Sequence, residues 1–291
     1  MLVSVIIATY RRSDTLRSAI ESIGNQTYNN IEIIVVDDNA DIEWNKKVEN
    51  IIENVECKFN IKYIKNILNK GSARTRNIGI YNANGQYITF LDDDDIYLPD
   101  KIKNQIQYMT ENNIDFSVTD LELLNEDGKR IEIRKRNYIR STNKEELFKM
   151  HLMHHITGTD TMMFKKNYLL DIGAFEPIDV GDEFYLMQKA IESGGKFGYL
   201  PKCEVKAYVH SEIEGLSSGD SKIEGENELY KYKKKYFNKL DNEAIKYISM
   251  RHYAVLAYAE YRRRDYIKFL IYIIKSLIKS PLKCINLLIN R

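Results

Sequence analysis

Cysteine, proline and glycine are scarce in this chain, which has 3 Cys, 4 Pro and 14 Gly among its 291 residues. The three cysteines, Cys57, Cys203 and Cys284, are far apart and show no metal-ligand spacing. Their pattern argues against a disulfide framework and against a cysteine-based zinc site, and it is typical of a reducing compartment. The few prolines and glycines leave little room for disordered linkers.

An excess of one charge and long apolar runs are also lacking. The 43 Lys and Arg side chains balance 42 Asp and Glu, so the net charge is +1 and we expect no nucleic-acid partner. No segment approaches the roughly 20 uninterrupted apolar residues of a membrane span. The apolar start, residues 1–8, lacks the basic leader of a secretory signal. We therefore expect a cytoplasmic protein that does not cross a membrane.

The even charge balance hides a basic C-terminal segment. Residues 252–291 carry eight Lys and Arg against two Asp and Glu, a net charge of +6, which leaves −5 on the other 251 residues. At about 100° per residue in a helix, Arg264, Lys268, Lys275 and Lys279 share one side, and apolar residues spread over the rest. This pattern predicts either peripheral binding to an anionic membrane surface or packing of the helix, on its own domain or in a homodimer.

Strands and helices alternate in the first part of the chain. Short apolar runs typical of buried strands occur at residues 3–8, 31–36, 61–64 and 87–91. Between the first two, Leu16, Ala19, Ile20 and Ile23 have the spacing of one apolar helix face, and a further helix is predicted over 72–82. Such alternation predicts an α/β doubly wound parallel sheet.

The second half of the chain mixes antiparallel elements with helices. A hairpin is predicted at residues 125–128, and two short strands are predicted at 197–200 and 204–208. From Glu243 the pattern is helical almost to the end of the sequence.

Four consecutive aspartates, Asp92–Asp95, directly follow a predicted buried strand. In open α/β sheets ligands bind at the carboxyl ends of the strands. Adjacent carboxylates repel one another unless water or a cation neutralises them, and hard cations such as Mg²⁺ or Mn²⁺ prefer oxygen ligands. The run predicts a divalent-cation site that bridges to a phosphate, and a solvated acidic loop is the alternative.

The segment Gly71–Asn77 opens a predicted helix with two arginines, Arg74 and Arg76. The free N–H groups and the dipole at a helix start attract anions, so the segment predicts a phosphate contact. Its glycine spacing matches neither a P-loop nor a dinucleotide fingerprint. Surface arginines without a ligand are the alternative.

These motifs occur in a fixed order along the chain, namely ATYRR at 8–12, VVDD at 35–38, NKG at 69–71, RNIG at 76–79, ANGQYI at 83–88 and FLDDDD at 90–95. As a set, they resemble the inverting family-2 glycosyltransferases of bacterial polysaccharide type, over about residues 1–210. The resemblance implies the GT-A fold, a Rossmann-like nucleotide-diphospho-sugar transferase architecture. It also implies dependence on Mn²⁺ or Mg²⁺ and a nucleotide-sugar donor, most commonly a UDP-sugar.

The resemblance assigns donor-binding roles to matching residues. It places Thr9 and Tyr10 around the nucleotide base and ribose, with Arg12 nearby, and it places Asp38 at the base edge. Arg76 matches the arginine next to the diphosphate. Gly71 and Asp93 belong to the same nucleotide-sugar-binding set.

The resemblance also assigns metal ligands within the aspartate run. Asp92 and Asp94 match the outer positions of the Asp-any-Asp (DXD) motif, with Asp94 the direct metal ligand and Asp92 a metal or sugar contact. His210 matches a position where some members have a histidine near the diphosphate or metal. A structural or surface histidine is the alternative.

An inverting transfer needs a carboxylate that takes the proton from the acceptor hydroxyl. Asp182 and Glu183 start a predicted helix where the family usually has Glu followed by Asp, and their order is reversed here. Counted from the helix, Glu183 falls on the usual base position and is slightly favoured, and both residues stay candidates. Simple capping of the helix start by acidic residues is the alternative.

The resemblance and the patterns together predict three parts of the chain. Residues 1–220 form a GT-A catalytic domain, with a nucleotide-binding half at 1–98 and an acceptor half at 99–220, and residues 221–291 form a C-terminal helical extension. The predicted enzyme moves a sugar from a nucleotide sugar to a glycan or lipid-linked glycan acceptor in cell-surface polysaccharide synthesis, such as cell wall or capsule.

Two other functions remain open. A sugar nucleotidyltransferase has related topology, but it would need a glycine-rich loop after the first strand, and residues 9–13 contain no glycine. A catalytically silent protein that binds a nucleotide as a scaffold is the second alternative.

Overall fold

The computed structural model describes residues 1–178, 181–209 and 219–289. Its strands are β1 (Val3–Thr9), β2 (Ile31–Asp37), β3 (Asn60–Lys65), β4 (Tyr87–Phe90), β5 (Ile96–Tyr97), β6 (Phe116–Asn125), β7 (Arg130–Arg134), β8 (Met163–Lys165) and β9 (Phe197–Val209). Its α-helices are α1 (Asp14–Gly24), α2 (Ile42–Asn54), α3 (Ser72–Asn82), α4 (Lys101–Glu111), α5 (Lys144–His154), α6 (Lys166–Asp171), α7 (Asp182–Glu192), α8 (Gly219–Lys234), α9 (Asn242–Arg262), α10 (Tyr266–Lys279) and α11 (Pro281–Ile289).

The strands form one mixed sheet in the order β3-β2-β1-β4-β8-β6-β9-β5, with β7 paired to the side of β6. The first half is parallel, because β1 pairs with β2 and β4, and β2 pairs with β3, all in the same direction. The second half adds antiparallel partners, such as β8 beside β4 and β7 beside β6. The predicted α/β class and the helical C-terminal region are confirmed.

The two short strands predicted near residue 200 are a single strand, β9. In its parallel pairing with β6, Leu200 lies opposite Thr119 and Cys203 opposite Asp120, so Pro201 and Lys202 form a bulge. Proline has no N–H to donate to a ladder, and a bulge accommodates it without ending the strand. The proline therefore interrupts the sequence pattern but not the sheet.

The core lies on both faces of the parallel strands. β2 is buried throughout its length, and the predicted face of α1 (Leu16, Ala19, Ile20 and Ile23) is fully buried. Gly79 allows α3 to approach β1 closely, since a Cβ at this position would lie 2.5 Å from Ile6 Cγ2. This contact brings the start of α3 to the carboxyl end of the sheet.

A buried carboxylate joins the amino ends of three strands. Glu32 of β2 accepts hydrogen bonds from Ser4 Oγ (2.5 Å) and from the backbone N–H groups of Asn84 (2.6 Å) and Gly85 (3.0 Å). Burial raises the pKa of Glu32, but the hydrogen bonds outweigh it and the net pKa lies below the ordinary value. This cluster lies at the opposite end of the sheet from the aspartate run.

The chain divides into two compact units. One contains Met1–Leu147 and Ile156–His210, and the other contains Phe148–His155 and Ser211–Arg291. Within the second unit the end of α5 packs with the C-terminal helices, because the ring centres of His154 and Tyr247 lie 4.7 Å apart and Arg251 Nη1 donates to the Met153 carbonyl (3.1 Å). The domain boundary predicted at residue 220 stays a prediction.

No helix in the described ranges combines the length and apolar content needed to cross a bilayer.

Candidate active site

Polar side chains from five segments of the first unit meet at the carboxyl ends of β1, β2 and β4. These segments are the residues after β1, the turn after β2, the start of α3, the aspartate run after β4 and the start of α7. Parallel strands end at the same edge of the sheet, so the loops after them and the helices that follow converge there. The contacts between these segments define the candidate site.

Asp38 organises the loop that leads into α3. Its carboxylate accepts hydrogen bonds from the N–H groups of Lys70 and Gly71 (both 2.9 Å) and from Asn66 Nδ2 (2.7 Å). Gly71 has φ of 79°, a left-handed conformation that side chains other than glycine rarely adopt. These contacts hold the start of α3 beside the end of β2. The predicted contacts of Asp38 and Gly71 with the nucleotide stay predictions.

The segment after β1 is tied to the aspartate run. The Tyr10 N–H donates to Asp93 Oδ2 (3.2 Å), and Arg12 Nη2 pairs with Asp94 Oδ2 (3.1 Å). Thr9 is buried, whereas Tyr10 is 47% exposed. The ring of Tyr10 is thus accessible to a ligand, whereas the side chain of Thr9 is not exposed at the protein surface.

Asp93 and Asp94 lie close enough to affect each other. Burial and the charge of Asp94 raise the pKa of Asp93 to about 7, although Thr9 and Arg12 oppose the shift. A carboxyl group in this state is half protonated near neutral pH, and a bound cation would favour its charged form.

Asp160 joins the site from a distant part of the sequence. Its Oδ1 accepts a hydrogen bond from the Asp92 N–H (2.6 Å), and burial together with the Asp92 charge raises its pKa to about 7. Asp95, the last aspartate of the run, is also buried. Its Oδ1 accepts a hydrogen bond from the Tyr208 N–H (2.8 Å). Burial and Asp160 raise the pKa of Asp95 as well.

Asp92, Asp95 and Asp160 fit a divalent cation. One carboxylate oxygen from each lies within 4.8 Å of the others. Three carboxylate groups this close together would supply oxygen ligands to a hard cation such as Mg²⁺ or Mn²⁺. The set predicted from the sequence was Asp92, Asp94 and His210, and His210 lies outside the described residues.

Sequence reasoning missed Asp160. A single aspartate between Thr159 and Thr161 has no distinguishing pattern, and it is 68 residues from Asp92 in the chain. It reaches the site because β8, which follows it, pairs antiparallel with β4. The sheet order supplies this proximity, and no local pattern encodes it.

Arg76 links the aspartate run to the start of α7. Its Nη2 pairs with Asp92 Oδ1 (2.7 Å) and its Nη1 pairs with Asp182 Oδ2 (2.8 Å). The side chain is 11% exposed. Burial opposes the charge of Arg76, but Asp92 and Asp182 outweigh it and raise the pKa of the guanidinium. The arginine therefore stays charged between the two motifs.

Asp182 and Glu183 have different surroundings. Asp182 is 4% exposed and engaged with Arg76, and Ser72 Oγ donates to the same oxygen (3.4 Å). Its other oxygen accepts from the Glu183 N–H (2.9 Å). Burial and the charge of Asp182 raise the pKa of Glu183 to about 8. The structure thus brings both predicted base candidates to the site, with Asp182 in an ion pair.

A buried lysine lies beneath the aspartate run. Lys101, fully buried at the start of α4, donates to Thr89 Oγ1 (2.7 Å), and its Nζ is 4.0 Å from the centre of the Tyr97 ring. Burial lowers the pKa of Lys101 to about 7. The Tyr97 hydroxyl donates to the carbonyl oxygen of Asp160 (3.1 Å). The burial of Lys101 was not predicted from the sequence, because a lysine at the start of a helix is usually exposed.

The chain matches one sequence family and several solved structures. The family described as Glycosyl transferase family 2 matches residues 4–169. The crystal structure of S. aureus TarS 1–349 in complex with UDP-GlcNAc superposes with a TM-score of 0.63 at 17% identity, and the match covers 97% of this chain and 92% of that one. This likeness shows the fold, which is GT-A as predicted.

Curated relatives differ in how much of their length is matched. An uncharacterized glycosyltransferase of Methanocaldococcus jannaschii is 34% identical over 220 residues, covering 74% of this chain and 73% of that protein. The Escherichia coli protein WfaP, a UDP-Glc:alpha-D-GlcNAc-diphosphoundecaprenol beta-1,3-glucosyltransferase, is 44% identical over 117 residues, covering 40% of this chain and 44% of WfaP. The chain spans about a fifth of the length of the Rickettsia glycosyltransferases it matches. The family match over more than half of the chain and the M. jannaschii relative identify it: this protein belongs to glycosyl transferase family 2.

Proposed function

We propose that this protein is an inverting glycosyltransferase that moves a sugar from a UDP-sugar to a glycan or lipid-linked glycan acceptor. The observation that carries the proposal is the Arg76 bridge between Asp92 and Asp182, which joins the donor-binding motif and the base motif in one buried network. We further propose residues 1–220 as the catalytic part of the chain.

The donor side of the site fits a nucleotide diphosphate. The exposed ring of Tyr10 offers a stacking surface for a base, and the start of α3, held by Asp38, is a helix N-terminus, which favours an anion. Arg76 provides a fixed positive charge for the diphosphate. The TarS complex with UDP-GlcNAc supports UDP as the nucleotide on this fold.

A divalent cation, Mn²⁺ or Mg²⁺, fits the same site. We propose that Asp92 holds it together with Asp94 or with Asp95 and Asp160, and that His210 is a further ligand. When bound, the cation would neutralise negative charge that develops on the diphosphate leaving group. The protein itself contributes the oxygen ligands and, through the Asp160 contact to the Asp92 N–H, the orientation of the aspartate run.

Glu183 is the better candidate for the general base. The carboxylate of Asp182 is committed to Arg76, so protonating it during a reaction would remove one of the two carboxylate partners of this buried arginine. Glu183 is not part of that ion pair, and its raised pKa matches a group that accepts a proton near neutral pH. In the proposed step Glu183 takes the acceptor's hydroxyl proton as the oxygen attacks the anomeric carbon, and the bond to the diphosphate breaks.

We propose a polysaccharide intermediate as the acceptor and the inner face of the plasma membrane as the place of work. WfaP uses a diphosphoundecaprenol-linked acceptor by its name, which supports a lipid-linked acceptor here. Cell wall or capsule assembly is the process that such a reaction would serve. Family membership disfavours a sugar nucleotidyltransferase, and a silent scaffold stays an outcome of the experiment below.

The test is release of UDP from a panel of UDP-sugars in the presence of Mn²⁺, measured with the full chain. We expect turnover with at least one donor and a loss of at least about a hundredfold in Arg76→Met, since the buried charge serves the diphosphate. Arg134→Met, an exposed arginine on β7, is the matched control and should keep full activity. UDP binding without turnover of any donor would instead favour the scaffold.

A further inference from the structure

Helix α10 presents an apolar stripe on the side away from its packed face. Among its residues Ser276 alone is buried, and Ser276 Oγ donates to the Met250 carbonyl of α9 (2.9 Å). At about 100° per residue, Ile267, Ile274 and Ile278 lie within roughly 20° of the direction opposite Ser276. Their side chains are 75%, 56% and 73% exposed. These three isoleucines therefore face away from α9, the helix on which α10 packs.

Other apolar side chains extend this surface. Leu270 and Ile271 of α10 are 56% and 45% exposed, and Leu282 of α11 is 78% exposed. Contiguous exposed apolar surface of this kind marks an interaction site in a soluble domain. We call the surface formed by Ile267, Leu270, Ile271, Ile274, Ile278 and Leu282 the apolar stripe.

Basic side chains border the apolar stripe on one flank. Lys268, Lys275 and Lys279 are exposed and lie about 60–100° from Ser276 on the same side of the helix. Lys268 pairs with Asp265 (3.1 Å), and Lys275 lies 5.4 Å from the Tyr272 ring centre. Long lysine side chains in this position can keep their ammonium groups at a polar surface while the stripe is buried.

The charge pattern selects between two possible occupants. The sequence from Tyr266 to Arg291 contains five Lys and Arg but no Asp or Glu. A second copy of these helices would bring cations together and supply no carboxylate to pair with them. An anionic bilayer surface offers both an apolar layer for the stripe and phosphate groups for the lysines.

We infer that α10 and α11 dock this protein on an anionic lipid surface, with the apolar stripe in the headgroup–acyl boundary and the lysine flank against lipid phosphates. The inference rests on the proposed function, for which a lipid-linked acceptor requires the enzyme to work at a bilayer. It concerns a surface that does not overlap the candidate active site, because every residue of that site belongs to the first unit and the stripe belongs to the second.

The test is cosedimentation of the full chain with vesicles of phosphatidylcholine alone or mixed with phosphatidylglycerol. We expect binding to the mixed vesicles only. Ile274→Glu, which places a charge in the stripe, and the triple change Lys268→Gln, Lys275→Gln and Lys279→Gln should each weaken binding by at least about tenfold. Ile42→Glu, at an isoleucine on α2 that is 74% exposed and lies outside the stripe, should bind like the unchanged protein.

Three results would overturn the inference. The first is that the unchanged protein does not bind anionic vesicles, and the second is that Ile274→Glu binds them as strongly as the unchanged protein. The third is that sedimentation equilibrium without vesicles shows a dimer that Ile274→Glu converts to monomer. UDP release in vesicle-free buffer separates this inference from the proposed function. For the unchanged protein, UDP release without vesicle binding would reject the docking surface alone, whereas vesicle binding without any UDP release would reject the enzymatic proposal alone.

Discussion

At the scale of single residues, Arg76 connects the aspartate run to the acidic start of α7. The arginine holds Asp182 and Asp92 at 2.8 Å and 2.7 Å, so its two partners are fixed relative to each other. Glu183 lies next to this network but outside its ion pairs. The pair at the start of α7 thus separates a charge-pairing carboxylate, Asp182, from Glu183, which we propose as the general base.

This separation predicts different kinetic effects for the two substitutions. Glu183→Gln should lower kcat by about a hundredfold to ten-thousandfold with little change in the KM for donor, because it removes only the proton acceptor. Asp182→Asn should raise the donor KM and lower the thermal stability, because it leaves the buried Arg76 with one carboxylate fewer. Steady-state kinetics and thermal unfolding of both variants provide the measurement, and the opposite assignment of the two effects would make Asp182 the base.

At the scale of elements, the sequence patterns predicted those helices and strands whose formation depends on residues close together in the chain. The apolar runs of β1 and β2 and the buried face of α1 follow from local apolar patterns, and the structure has each of them, as it has the helix predicted over 72–82. The patterns could not foresee that β9 continues through Pro201, because its continuity depends on pairing with β6 across the sheet. The burial of Lys101 could not be predicted from the sequence either, since it depends on which elements pack against α4.

The Glu32 cluster makes an element-scale prediction about stability and pH. The folded-state pKa of Glu32 lies below its ordinary value, so the carboxylate adds stability above about pH 4.3 and loses it as the pH falls through the folded pKa. Glu32→Gln should therefore lower the free energy of unfolding by about 1–3 kcal/mol at pH 7, with a smaller deficit near pH 3. Urea unfolding at both pH values tests this.

The exposed Glu53→Gln on α2 is the matched control for Glu32→Gln. It should change the free energy of unfolding by less than about 0.5 kcal/mol at either pH. A Glu32→Gln deficit that is the same at pH 7 and pH 3 would contradict the role of the charged carboxylate.

At the scale of the whole molecule, opposite charges are concentrated in different units. The aspartate run and the acidic start of α7 belong to the first unit, and the lysine flank of α10 belongs to the second. The net charge of +1 is therefore the sum of an acidic first unit and a basic second unit, which contains the segment proposed to meet lipid. The net charge of the whole chain therefore reveals neither the acidic site nor the basic segment.

Cation and donor binding should stabilise the protein as a whole. A ligand that binds the folded state at about a hundred times its Kd adds roughly 2.7 kcal/mol, which raises Tm by several degrees for a chain of this size. We expect such a rise with UDP and Mn²⁺ together, and its loss with EDTA or in Asp92→Asn. Differential scanning fluorimetry is the measurement, and a rise with UDP that is insensitive to EDTA and to Asp92→Asn would contradict the cation site.

The sequence by itself determined the α/β class, the position of the aspartate run at a strand end and the basic, amphipathic character of the C-terminal segment. Each is a property of residues that are close in the chain, where helix and strand geometry dictates which side chains share a face. The tertiary structure alone decided that Asp160 contacts Asp92, that Arg76 joins Asp92 to Asp182, and that the apolar stripe is exposed. These depend on strand order and helix packing, which bring together residues up to 106 positions apart.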